Sequence, residues 1–275
     1  MNRLQYALVA VLAVVVIAVG VILWKERQAE PTPPPMQPPV AAVPPEPAAP
    51  APSELAIKHP IESAPVAETP AAAPLDLVGE LTGLFGRKVV LSMLQTDDFP
   101  RRFVATVDNL ARPQAPVSVW PVNPTPGRFT VQSEGGEEVI SADNGLRYTP
   151  FMLLVETVEM REAVAVYVRQ YPQFQQAYEE LGYPKQYFND RLVEVIDHLL
   201  ATPEPTGPLK VRLTEVRGPV QPERPWVFYE FADPALESLS SGQKILLRMG
   251  PVNERRMKAK LAEIRRLVTG GAVGR

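Results

Sequence analysis

Val164-Ala165-Val166-Tyr167-Val168-Arg169-Gln170-Tyr171-Pro172-Gln173-Phe174-Gln175-Gln176-Ala177-Tyr178-Glu179-Glu180-Leu181 decides how this chain folds. Val164, Tyr167, Tyr171, Phe174, Tyr178 and Leu181 recur at alternating steps of three and four. That spacing sets them on one stripe of a helix about twenty residues long. Pro172 supplies no amide hydrogen and predicts a kink in it. A stripe this apolar needs other helices to cover it, because isolated amphipathic helices are marginal in water. Helical spacing favours a place in the core; the alternative is the wall of a ligand groove, since tyrosine is common at binding surfaces.

The neighbouring segments supply the cover. Downstream, Asn189 is the predicted cap of a helix that turns Leu192, Ile196 and Leu199 inward and stops before Pro203. Leu209 to Leu213 alternates like a strand, with Trp226 to Phe231 as its partner. Asp233-Pro234 opens a short helix, and Ser241–Met249 and Asn253–Val268 follow, divided by Gly250-Pro251. Upstream, Asp76 caps a helix over Leu77, Val78, Leu81 and Leu84 that ends at Gly86. Lys88 to Gln95 reads as a second helix. Asp97-Asp98 and Pro100 open a third that runs to about Leu110. Five prolines within 112–127 predict an irregular loop carrying Trp120. Phe129–Val131 and Glu138–Ile140 form a hairpin, and Thr149-Pro150 opens a helix over Phe151, Leu154, Val155 and Val158. The fold class is α+β, mainly α: a multi-helix domain over 75–275 with two small β-hairpins.

What precedes residue 75 is different material. Leu4 to Trp24 is an uncharged run of 21 residues, closed by Arg3 and by Lys25-Glu26-Arg27. As a helix it would be about 31 Å long, the thickness of a bilayer's hydrocarbon core. Residues 1–27 are therefore expected to be a transmembrane anchor, with the bilayer as partner. The run exceeds a signal-peptide core, and cleavage after Ala29 would put Arg27 where a small residue belongs. Gly20 is its only glycine, so it lacks a GxxxG packing face. Flanking charges nearly balance across the bilayer. The short amino-terminal tail and the spacer that follows favour the amino terminus inside.

That spacer, 28–74, is expected to be disordered and Pro/Ala-rich: residues 31–74 hold 15 prolines among 44 positions. Polyproline II geometry sets its ceiling at about 136 Å. Such an arm would carry a domain into a bacterial periplasm. A Pro-x-x-Pro ligand is the alternative, without the flanking arginines that would support it. His59, within the arm, is expected to do nothing.

Chemistry-bearing motifs are missing. The chain has no cysteine, hence no disulfide, thiolate metal site, cysteine nucleophile or lipoprotein attachment. Two histidines make neither a Glu-x-x-His pair nor His-Glu-x-x-His, Arg87 breaks the phosphate-loop order in Gly83–Lys88, and no Gly-x-Ser-x-Gly elbow exists. No cofactor or metal is expected. The best residual constellation is Asp190, Glu194, Asp197 and His198 on one helix. It reads either as an acid–base pair or weak metal site, or as a solvated flank with paired charges.

The net charge of −3 hides a divided chain. Residues 243–275 hold nine Lys/Arg against two Asp/Glu, and the remainder 19 against 29, a net −10. Arg255, Arg256, Lys258, Lys260, Arg265 and Arg266 surround the last apolar seam, Met257, Leu261, Ile264 and Val268. They are a candidate interaction face for an anionic partner, the chain's own acidic surface, or solvent alone. Without interleaved aromatics they argue against nucleic acid.

Three stretches carry a resemblance: Phe99-Pro100-Arg101-Arg102-Phe103-Val104-Ala105-Thr106-Val107-Asp108-Asn109-Leu110, then Asn189-Asp190-Arg191-Leu192-Val193-Glu194-Val195-Ile196-Asp197-His198-Leu199-Leu200, then Tyr229–Pro234 with Gln243–Pro251. The chain resembles, over about 75–268, the bacterial family called domain of unknown function 3014. The resemblance implies an amino-terminally anchored envelope protein and brings no activity or assigned residues. The reading favoured is a non-enzymatic interaction or scaffolding protein of the bacterial inner membrane, its domain periplasmic, with a protein partner. The alternatives are an envelope enzyme using the carboxylate–histidine helix, and a cytoplasm-facing protein with an anion-binding basic tail.

Overall fold

A computed structural model describes residues 56–61, 76–214 and 224–270, all within one compact unit, Ser53–Arg275. The expected anchor and most of the expected spacer lie outside the described residues. No helix among those described is long and apolar enough to cross a membrane.

Eleven α-helices and four short strands are described. The Asp76 carboxylate accepts from the Gly79 amide at 2.8 Å and starts α1 (Leu77–Phe85). Gly86, at φ 81°, ends that helix and leads into α2 (Arg87–Met93). α3 (Phe99–Leu110) carries Pro100 in its first turn, where the missing amide hydrogen costs nothing. Asp98 precedes its first residue as expected, at φ 54°, but makes no side-chain capping bond; its carboxylate lies 3.8 Å from Arg101 instead. The loop after α3 is held where Trp120 donates to the Ala115 carbonyl at 3.2 Å.

β1 (Val131–Glu134) and β2 (Glu137–Ile140) pair antiparallel about Gly135-Gly136, whose positive φ values suit a tight hairpin turn. α4 (Asn144–Arg147), α5 (Thr149–Thr157), α6 (Met160–Arg169), α7 (Tyr171–Glu180) and α8 (Phe188–Leu200) follow. β3 (Val211–Leu213) and β4 (Tyr229–Phe231) form the second antiparallel pair. A bridge between Val139 and Lys210, with Ile140 N–H donating to the Leu209 carbonyl at 2.9 Å, joins the two pairs edge to edge. α9 (Pro234–Glu237), α10 (Ser241–Arg248) and α11 (Pro251–Val268) complete the order. A capping box of Ser240 and Gln243 starts α10.

The core is aromatic and lies where α3, α7 and α8 meet, with α11 packed on α6 and α8. Phe103 meets Phe174 edge-on at 5.3 Å between ring centres, Tyr167 meets Phe174 at 5.4 Å, and Tyr178 meets the fully buried Phe188 at 5.4 Å. Five of the six stripe residues are therefore core; Leu181 is exposed.

Three expectations need correction. The stripe does not run along one kinked helix: Pro172 sits in the first turn of α7, and Gln170 separates α7 from α6. Proline in a helix interior removes one hydrogen bond and clashes with the carbonyl four residues back, so breaking the helix relieves both. Asn189 is not a cap. α8 begins one residue earlier, and the Asn189 side chain is wholly buried. Thirdly, part of the spacer is ordered: residues 56–61 lie against the domain, and His59 is bound there through its main chain.

Candidate functional site

The ordered piece of the spacer, Ala56-Ile57-Lys58-His59-Pro60-Ile61, is seated at the start of α8. Both oxygens of the Asp190 carboxylate are used: the His59 amide donates to one at 2.7 Å and the Lys58 amide to the other at 3.0 Å. Asn189 Nδ2 donates to the His59 carbonyl at 2.8 Å, and the Ile61 amide donates to the Tyr187 hydroxyl at 2.8 Å. Pro60 has no amide hydrogen, so none is left unpaired between these bonds. The Ile61 side chain is half-buried against the core, while Ile57 and Lys58 stay exposed. The site thus reads main chain at three amide donors, those of 58, 59 and 61, and one acceptor, plus the Ile61 side chain. His59 is half-buried, with its ring near enough to Asp197 to help Arg265 hold that carboxyl down.

The groups that do this are held from behind. Asn189 Nδ2 also donates to the Val268 carbonyl at 3.0 Å, at the end of α11, and its Oδ1 accepts from the Tyr167 hydroxyl at 3.2 Å. The Tyr171 hydroxyl accepts from the Asn189 amide at 3.1 Å and donates to Gln175 Oε1, also at 3.1 Å. Burial pushes the Tyr167 and Tyr171 hydroxyls well above the usual phenol range, so both stay protonated. Asn189 is fixed by α6, α7 and α11 at once, and its amide is aimed at the docked segment.

A second buried polar cluster meets α8 at Arg191, in the same first turn. The Asp108 carboxylate, from α3, is almost wholly buried; it accepts from Arg191 Nε at 3.0 Å and from Arg112 Nη2 at 2.6 Å. Arg112 also reaches the Tyr183 hydroxyl at 2.5 Å, and Arg191 reaches Glu194 at 3.0 Å. This cluster ties α3 to α8 and to the loop before it.

The predicted carboxylate–histidine constellation is divided among separate tasks. Asp190 holds the docked segment, Glu194 pairs with Arg191, and Asp197 pairs with Arg265, at 3.0 Å to Nη2. The hydrogen bond from Arg265 holds the Asp197 carboxyl below its usual range. His198 is half-buried, and its Nε2 has no hydrogen-bond partner among the described residues. No group of three or more His, Asp or Glu among the described residues is placed to hold a metal ion.

The six candidate cations at the carboxyl end are also divided. Arg256 pairs with Glu156 of α5, Lys258 with Glu254 and Glu204 at 3.0 Å each, Lys260 with Glu263 at 3.1 Å, and Arg265 with Asp197. Arg255 and Arg266 are exposed. Three of these partners lie outside α11: Glu156 on α5, Asp197 on α8 and Glu204 in the loop that follows α8. The basic helix therefore lies against the chain's own acidic surface.

Sequence reasoning missed Asp108 and the docked segment. Asp108 gave only a helical position facing inward. For the segment a signal existed: Ile57 and Ile61 are the only isoleucines in 28–74, with Lys58 and His59 between them. Alanine and proline fill most of the rest.

By fold and site, this is a helical domain that seats a short peptide segment of its own chain. The chain belongs to the family described as "Protein of unknown function (DUF3014)", whose model matches residues 99–265. Tyr187, Asn189 and Asp190 lie inside that match; α1, α2 and the segment they share the domain with lie before it. No curated protein and no solved structure matches the chain.

Proposed function

We propose that this is a single-pass protein of a bacterial inner membrane whose folded domain stands in the periplasm and acts by binding a protein partner rather than by catalysis. The observation that carries this reading is the uncharged run Leu4–Trp24, set off from a folded domain by a proline-rich spacer. The division of Asp190, Glu194 and Asp197 among a docked segment and two arginines supports a binding role, since each carboxylate already has a partner. Fusions at Arg275 to alkaline phosphatase and to a fluorescent protein test the placement. Phosphatase activity with a dark fluorescent fusion is expected; the reverse pattern assigns the domain to the cytoplasm and overturns it. Crosslinking in the host, followed by purification of the anchored chain, tests for the partner.

An envelope enzyme acting through α8 is the second reading, and the buried Nε2 of His198, unpartnered among the described residues, is what favours it. Replacing Asp197 by Asn and His198 by Gln in one chain separates the two. A folded double variant that keeps the wild-type cellular phenotype is expected, and its loss would favour the enzyme.

A further inference from the structure

We infer that the face built by Tyr187, Asn189 and Asp190 is a peptide-binding site, that residues 56–61 are its built-in ligand, and that this ligand is reversibly held. This deepens the binding role proposed above by naming the class of ligand: a bent peptide segment with two successive free amides, a proline, and an aliphatic residue.

Three observations carry the inference. First, four hydrogen bonds hold the segment among the described residues, and all four go to its main chain, so the site recognises a peptide as such. Second, the receptor side is rigid and prepaid: Asn189 is wholly buried and is held by Tyr167, Tyr171 and the end of α11. A site arranged in advance loses little entropy on binding. Third, the ligand side is slight. Ile57 is 52 % exposed, Ala56, Lys58 and Pro60 are exposed, and Ile61 alone adds an aliphatic contact with the core. So small a contact binds weakly as a free peptide. Tethering raises its effective concentration to the millimolar range, which is enough to keep it seated and low enough to let it be displaced. Only residues 62–75 separate it from the domain.

The test uses the full chain in detergent and a fluorescent synthetic peptide of residues 55–62. A Lys58→Pro, Ile61→Ser chain loses one amide donor and the aliphatic contact, so its own segment leaves the site. We expect the peptide to bind this chain at least tenfold more tightly than the wild type, whose segment competes. Adding Asp190→Ala should abolish the gain. Equal binding to both chains, or none to the folded double variant, would overturn the inference. Amide exchange on the wild type gives an independent measurement. Amides 58, 59 and 61 should exchange well ahead of those in α3 and α8; exchange only with global unfolding would make the segment a fixed part of the core. Neither result depends on which side of a membrane the domain occupies, so the reporter fusions can fail while the site stands.

Discussion

Asp108 and Asn189 show how single polar residues set the geometry of this domain. Asp108 is buried with its charge compensated by Arg191, whose side chain is 19 % exposed, and by the more exposed Arg112. Removing one member of a buried pair strands the other, which typically costs about 3 kcal/mol. Asp108→Ala should therefore lower the urea midpoint by that equivalent, and Asp108→Asn by less, since the amide oxygen can still accept from Arg191. Equal stability of Asp108→Ala and wild type would show the cluster to be energetically idle. Asn189→Ala removes the donor to two carbonyls, those of His59 and Val268. Leaving buried acceptors unpaired costs on the order of 1–3 kcal/mol. The amides of 58, 59 and 61 should also lose protection, as hydrogen exchange would report. Neither residue's role was legible in the sequence. Asp108 looked like any acid on a helix, and Asn189 looked like a cap, because its partners are 18 to 130 positions away along the chain.

Helix packing here turns on one close approach. Gly242, in the first turn of α10, lies where an added Cβ would stand 2.8 Å from the Leu110 carbonyl oxygen and 2.5 Å from Leu199 Cδ2. Backbone on one side and a buried leucine on the other leave it no room. Alanine is the better helix former by about 1 kcal/mol. Overpacking costs about 1–3 kcal/mol and should win. Gly242→Ala is thus expected to destabilise, and thermal unfolding would show it; a rise in Tm would mean that α3 and α10 separate easily. At this scale the sequence was readable. Capping carboxylates at Asp76 and Asp233, glycines at helix ends and the three-and-four apolar spacing placed α1, α2, α3, α5, α8, α9, α10 and α11 within about two residues; α4 went unread, and β1 and β4 each missed a boundary by three residues. The stripe from Val164 to Tyr178 did become core. The misreading at Pro172 was one of degree: proline spacing signals an interruption, but whether a helix bends or breaks depends on what the next helix packs against. Here α7 is set by its contacts with α3.

Over the molecule as a whole, carboxylates pair with cations between elements: Glu80 of α1 with Arg169 of α6, Glu237 of α9 with Lys244 of α10, and Asp197 of α8 with Arg265 of the basic carboxyl-terminal helix. Their titration gives the domain its response to acid. Burial pushes the Glu237 carboxyl up, but hydrogen bonds from Lys244 and the Phe231 amide outweigh that, leaving it below its ordinary 4.5. The hydrogen bond from Arg169 lowers Glu80 from 4.5, and that from Arg265 lowers Asp197 from 3.8. Each group binds its proton more weakly folded than unfolded. Each therefore contributes stability that is fully present above its ordinary value and is lost as pH falls through the lower folded value. Stability should be level between about pH 7 and 5, then fall steeply below about 4.5. Of these three, Glu237 should account for the largest share of that loss, because its pair with Lys244 is the best shielded among them: the two side chains are 28 % and 15 % exposed. The Asp197 and Arg265 side chains are 47 % and 40 % exposed, so solvent weakens that pair. Urea midpoints of the full chain at pH 7, 5, 4 and 3 read this directly. Glu237→Gln should flatten the acid limb more than Asp197→Asn does. Identical acid limbs for wild type and Glu237→Gln would show that the carboxylates joining α9 to α10 do not govern the acid response.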